Sequence, residues 1–148
     1  GKKPYDIVVL DAFNSDYIPF HLMTREFLHQ VKEVLAGDGV VAANVFSTNR
    51  LFDAEWRTFE SVFGGCQAYF GTSSGNAMII APGEEVELLS RKEAHVRASD
   101  LQERHGFSFH LRRVARKLRP DAEPDPEAPV LTDDRAPVNK LRFEERDR

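Results

Sequence analysis

The chain has 148 residues, 41% of them hydrophobic and 30% charged, enough for one modest domain with a core of its own. That balance excludes collagen-like, mucin-like and wholly disordered readings. A formal net charge of -4 and a pI near 5.7 give no electrostatic reason to bind nucleic acid or an anionic membrane surface. Cys66, the single cysteine, permits neither an internal disulfide nor a zinc cage and fits a reducing compartment, hence a cytoplasmic location. No apolar run approaches the roughly 18 to 20 residues of a membrane span, and no signal-peptide pattern is present. The sequence opens Gly1-Lys2-Lys3 without an initiator methionine, as a processed chain or part of a longer protein would.

Charge density divides the chain. Residues 1–83 carry 6 basic and 9 acidic side chains and residues 84–148 carry 14 and 15, so the first part reads as buried sheet with packed helices. The second part reads as a helical appendage over 84–119, followed by a proline-rich acidic linker and returning tail over 120–148.

Tyr5 to Leu10 is a short β-branched apolar run, the pattern of a strand covered on both faces. Beyond a loop holding Asn14 and Asp16, Thr24 can cap a helix whose Phe27, Leu28, Val31, Val34 and Leu35 follow helical spacing, with Gly37 as its stop. Gly39 to Phe46 predicts a second buried strand. A helix from about Asp53 places Trp56, Phe59, Val62 and Phe63 on one side, and Gly64-Gly65 ends it. Cys66 to Phe70 and Asn76 to Ala81 flank a polar turn as a hairpin. Leu88 to Ala98 and Leu101 to Leu118 read as helical, the latter breakable at Gly106. Strands alternating with helices call for a parallel sheet with right-handed crossovers, to which the hairpin adds an antiparallel strand: an α/β fold. Val8, Leu10, Leu28, Val31, Val41, Val45, Trp56, Phe59 and Ile79 form the predicted core.

Ligands of open α/β sheets bind beyond the carboxyl ends of the strands, which is where Asp11 falls. A carboxylate there can hold a cationic substrate or take a proton from an attacking amine, or it can simply cap the loop; spacing alone leaves the two readings level. Gly71-Thr72-Ser73-Ser74-Gly75 matches G-x-S-x-G, but a nucleophile elbow needs a helix next, and a strand follows. The five histidines lack metal-ligand spacing, so no metal is expected. No Gly-rich phosphate loop follows a strand. Arg112, Arg113, Arg116, Lys117 and Arg119 are followed at once by Asp121, Glu123, Asp125 and Glu127, which suggests mutual neutralisation rather than a nucleic-acid or lipid surface. Phe107, Phe109, Leu111 and Leu118 are expected to dock that segment.

Tyr5-Asp6-Ile7-Val8-Val9-Leu10-Asp11-Ala12-Phe13, then Pro19, His21-Leu22 and Thr24-Arg25-Glu26-Phe27, and the closing Leu131-Thr132-Asp133-Asp134-Arg135-Ala136-Pro137-Val138, together resemble the spermidine synthase (polyamine aminopropyltransferase) family, and within it the bacterial spermidine-synthase-like branch. The resemblance covers residues 4–83 and, separately, the tail motif. It implies the C-terminal half of a class I methyltransferase-like Rossmann fold, starting at that fold's fourth strand. It also implies transfer of an aminopropyl group from decarboxylated S-adenosylmethionine to a polyamine acceptor, without a metal.

By the same resemblance Asp11 falls on the aspartate that orients and deprotonates the attacking amine, with Asn14 and Asp16 near the substrate. Asn14 stands where the family's synthases usually carry a second aspartate. Asp133 and Asp134 match the closing motif and mark a tail that can return to the active edge. The half of the fold that holds the nucleoside is not expected in these residues, so activity is assigned to a longer protein and the stretch alone is expected to be inactive. An unpaired first strand would favour a homodimer. The rival readings are a methyltransferase on the same fold and a non-catalytic binding or dimerisation module.

Overall fold

The β-branched run Tyr5–Leu10 forms strand β1; the computed structural model describes residues 4–11, 19–72, 75–119 and 122–146. A single 3-10 turn at Phe20–Leu22 leads into helix α1, Arg25–Val34. Thr24 caps α1 as its residue type predicts: its hydroxyl accepts from the Phe27 N–H and donates to the His21 carbonyl. Strand β2, Leu35–Phe46, begins where α1 ends, so Gly37 is not the helix stop. It and Gly39 lie inside the strand instead, and at Gly39 the backbones crowd. A Cβ on Gly39 would stand 2.9 Å from the Tyr5 carbonyl oxygen and 3.0 Å from that of Asp6, at the point where the pairing of β1 with β2 shifts register.

Helix α2, Leu51–Phe63, closes on Gly64 in the left-handed region at φ 78°. Strands β3 (Gln67–Phe70) and β4 (Asn76–Pro82) form the expected hairpin. Helix α3, Arg91–His105, opens with a capping box between Ser90 and Glu93. It runs unbroken through Leu101 and stops at Gly106, ahead of the short helices α4 (Leu111–Ala115) and α5 (Val138–Phe143).

The sheet order is β1-β2-β4-β3, with β1 parallel to β2 and the other pairs antiparallel. This is the α/β arrangement that the alternation predicts, α1 being the crossover between the parallel strands. Helices α1 and α2 bury one face of the sheet, joining Leu28, Val31, Phe52, Trp56 and Phe59 to Val41, Val45, Ala68 and Ile79. Helices α3 and α4 build a smaller cluster around Ala94, Ala98 and Leu118 against Tyr69.

Three expectations give way. Strand β1 is not covered on both faces: Ile7 and Val9 are each 63% exposed and Val8 and Leu10 only half-buried, because α1 and α2 lie on one side and no described residue packs the other. Phe107 and Phe109 are exposed rather than docked, and Leu118 alone of that group is fully buried. The basic and acidic runs do not neutralise each other: among the described residues no ion pair joins them, Asp125 pairs with Arg50, and Arg112 donates to the Ser99 hydroxyl.

The residues after 128 pack on the first two helices. Leu131 is fully buried among Met23, Leu51, Ala54, Val138 and Leu141. Its N–H donates to the Thr58 hydroxyl at 2.9 Å, and its carbonyl accepts from the Arg25 N–H at 2.8 Å, so one residue ties the tail to both α1 and α2. Further on, Glu145 bridges Asn49, and the Arg146 guanidinium meets the buried Asp53 carboxylate at 2.9 Å while lying 4.7 Å over the Phe52 ring. Leu131→Ala removes the apolar anchor and leaves a cavity, and should cost about 2–5 kcal/mol of stability. Urea denaturation reads this directly, and a loss below about 1 kcal/mol would mean that the tail rests on the domain without stabilising it.

Candidate active site

Pairing of Leu10 with Ala43 sets the next residue of each strand, Asp11 and Asn44, side by side at the carboxyl end of the parallel pair. The Asn44 side-chain amide donates to the Asp11 carboxylate at 3.0 Å. Its oxygen in turn accepts from the Asn76 amide at 3.2 Å, and Asn76 opens β4. Three neighbouring strands thus supply one polar row, in which Asn76 fixes the orientation of Asn44 and Asn44 holds one oxygen of Asp11. Asp11 is exposed, so its remaining acceptor capacity faces whatever enters.

What it faces is a cavity of about 280 Å³ whose walls include Val9, Leu22, Met23, Phe27 and Phe59 and whose polar lining is Asp11, Asn44 and Glu55. A larger cavity of about 550 Å³ lies at the hairpin, but it is lined by Arg119 and Arg146 and no carboxylate, the wrong sign for an amine. Among the described residues no three His, Cys, Asp or Glu side chains converge to hold a metal ion. Cys66 is buried, and burial together with the Glu60 charge pushes its thiol well above the ordinary range, which makes it a packing residue.

Glu55 is the unexpected member. It sits three residues after Phe52 and four before Phe59, on the sheet-facing stripe of α2, and is only 6% exposed. Among the described residues its carboxyl has neither a hydrogen bond nor an ion pair, and burial pushes it up to about 8. Reading the helix by its apolar residues assigns Glu55 to solvent; the i, i+3, i+7 spacing of Phe52, Glu55 and Phe59 was the available signal.

Of the residues singled out in the sequence, Asp11 alone lines this cavity. Asn14 and Asp16 lie outside the described residues. Asp133 and Asp134 occupy the exposed turn between Thr132 and Arg135. There the Asp133 N–H donates to the Glu26 carboxylate at 3.0 Å, and that bond, after the one from Glu26's own N–H, helps hold the Glu26 carboxyl below its usual range. The tail reaches the cavity only through Leu131, which packs against Met23 in the cavity wall.

The buried acid has a consequence for stability. Below about pH 4.5 Glu55 is protonated folded or unfolded and adds no pH-dependent cost; as pH rises towards 8 the unfolded chain ionises while the folded chain keeps its proton, so stability falls. The loss is on the order of a few kcal/mol, since each pH unit by which burial raises the carboxyl is worth about 1.4 kcal/mol. Glu55→Gln should flatten this slope and be the more stable protein at pH 8. Denaturant titrations across that range that gave both proteins the same slope would show that Glu55 is not buried uncharged.

No family model matches the chain. A polyamine aminopropyltransferase from Vibrio vulnificus is 38% identical to it over an alignment of 148 positions that covers 96% of this chain and 47% of that protein. Among solved structures, a probable spermidine synthase from Corynebacterium glutamicum superposes with a TM-score of 0.59 at 20% identity, over 88% of this chain and 49% of its own. Human Methyltransferase-like protein 13 in complex with SAH follows at 0.56 and 20% identity, over 85% and 54%. The fold is therefore that of spermidine synthases and methyltransferases, and the chain spans about half the length of the curated relative it matches. In sequence the chain is similar to polyamine aminopropyltransferases, and in fold to spermidine synthases and methyltransferases.

Proposed function

We propose that this chain supplies the amine-acceptor side of an enzyme that moves an aminopropyl group from decarboxylated S-adenosylmethionine to a polyamine. The observation that carries this reading is Asp11, held by Asn44 at the carboxyl edge of the sheet and open to a mainly apolar cavity that also holds Glu55. An alkyl ammonium is cationic and not nucleophilic. Asp11 draws it in, orients it and takes a proton, and the freed nitrogen lone pair forms a bond to the aminopropyl carbon next to the sulfonium. The carbon–sulfur bond breaks with its electron pair going to sulfur, so a neutral thioether departs and the proton on Asp11 passes to solvent.

Several features support the finer reading. The neighbouring methyltransferase fold was solved with SAH, in keeping with a sulfonium nucleoside as co-substrate. The residues of this chain suit the amine rather than the nucleoside: the cavity is small, with two carboxyls on a mainly apolar wall, and the segment following Asp11 holds no glycine before residue 37. Nucleoside binding, and with it turnover, is accordingly assigned to the longer protein, and the 148-residue stretch alone is inactive. The loop with Asn14 and Asp16 begins directly after Asp11, which supports its lying near the substrate. The exposed face of β1 and its unpaired edge support a homodimer.

Asp11→Asn, in the protein carrying this sequence, should lower the rate of amine-dependent methylthioadenosine release by about 10²- to 10⁴-fold, the contribution of a positioned acid or base. Asp11 is exposed, so stability should change little. Turnover within a factor of about three of wild type, with binding energy conserved, would remove Asp11 from the chemistry and leave the chain as a binding or dimerisation module.

A further inference from the structure

The cavity beside Asp11 has a second acid that the reaction as written does not use. Glu55 is more than nine-tenths buried, lines the same cavity, and has no partner of either kind among the described residues. A carboxyl left so is unfavourable to the fold, because it gives up water and receives nothing in exchange. A ligand that brings a cation to it repairs that deficit. Apart from Asn44, which holds Asp11, the rest of the lining is aliphatic or aromatic, with Leu22, Met23, Phe27, Val45 and Phe59 among it. Acid, apolar wall and acid complement a molecule that is charged, methylene and charged, and a volume of about 280 Å³ lies near the lower end of the roughly 300–1,000 Å³ found for ligand pockets, which suits a short alkyl chain.

Resting on the acceptor reading above, we propose that Glu55 is the second carboxylate of the amine site and holds the distal ammonium of a diamine whose reacting amine lies at Asp11. Glu55 is thereby a specificity residue: it selects acceptors with two amines over those with one, and it sets the length of the acceptor by how far it lies from Asp11. The raised carboxyl fits this role, since it gives up its proton as the ammonium arrives. The fold keeps a proton there only until a better cation takes its place.

The test is calorimetric titration of the full-length protein carrying this sequence with putrescine and with butylamine, which has the same carbon chain and one amine. Wild type, Glu55→Gln, Glu55→Leu and Asp11→Asn are compared, the leucine variant serving should the glutamine variant fold poorly. The expected result is that wild type prefers putrescine, and that both Glu55 variants lose about ten- to a hundredfold in putrescine affinity while butylamine affinity stays within about threefold, so that the preference disappears. Glu55 variants that keep the preference, with Asp11→Asn still weakening both amines, would overturn the role of Glu55 and leave the acceptor reading standing. Wild-type protein that binds neither amine would overturn the acceptor reading, and the role of Glu55 with it.

Discussion

The register between β1 and β2 decides where the chemistry can be. Parallel strands bring their carboxyl ends to the same edge, and the match of Leu10 to Ala43 puts Asp11 against Asn44 and nowhere else. Because side chains alternate along a strand, a slip of one residue would turn Val8 and Leu10 out of the core and Ile7 and Val9 into it, and would take Asp11 out of the cavity. The close approach at Gly39, where any side chain would meet the carbonyls of Tyr5 and Asp6, guards that register at the other end of the pair.

Helices α1 and α2 lie on one face of this pair, and the tail helps to keep them there. The tail crosses back to do it: Leu131 is bonded to α2 through Thr58 and to the start of α1 through Arg25, while Arg146 seals the N-terminal turn of α2 on Asp53. A helix fixed at that end can carry a buried carboxyl one turn further on, at Glu55, without fraying to hydrate it. The price of that burial is moderate because the carboxyl stays protonated. The site thus combines an exposed acid that can exchange protons with solvent and a buried acid that cannot do so freely, two environments for one side-chain chemistry.

How much of this was legible follows from what each signal measures. Apolar periodicity tracks which face meets the core, so the strands, α1, α2 and the hairpin were readable, as were the Thr24 cap and the Gly64 stop, which are local matters of one hydroxyl and one backbone angle. Gly37 misled because a glycine inside a strand looks the same in sequence as one that ends a helix. The coverage of β1 was misjudged because an apolar run reports what a strand is suited to meet, and no described residue meets its outer face. The position of Asp11 at a strand's carboxyl end was legible through topology, since the apolar run before it marks the strand. Glu55 was not, because a charged residue between apolar neighbours on a helix is ordinarily solvated, and only tertiary packing shows that this one is enclosed. The long-range contacts of Leu131 and Arg146 were likewise beyond any local pattern, although the returning tail motif hinted at the first.

Fold by itself does not settle which group is transferred, since aminopropyl and methyl transfer share this architecture. The most direct measurement is the mass of the product formed when the protein carrying this sequence is given a diamine together with decarboxylated S-adenosylmethionine or, separately, S-adenosylmethionine. The account predicts an acceptor heavier by one aminopropyl group from the first mixture, with methylthioadenosine released, and an unchanged diamine in the second. A methylated acceptor from the second mixture and none from the first would contradict it.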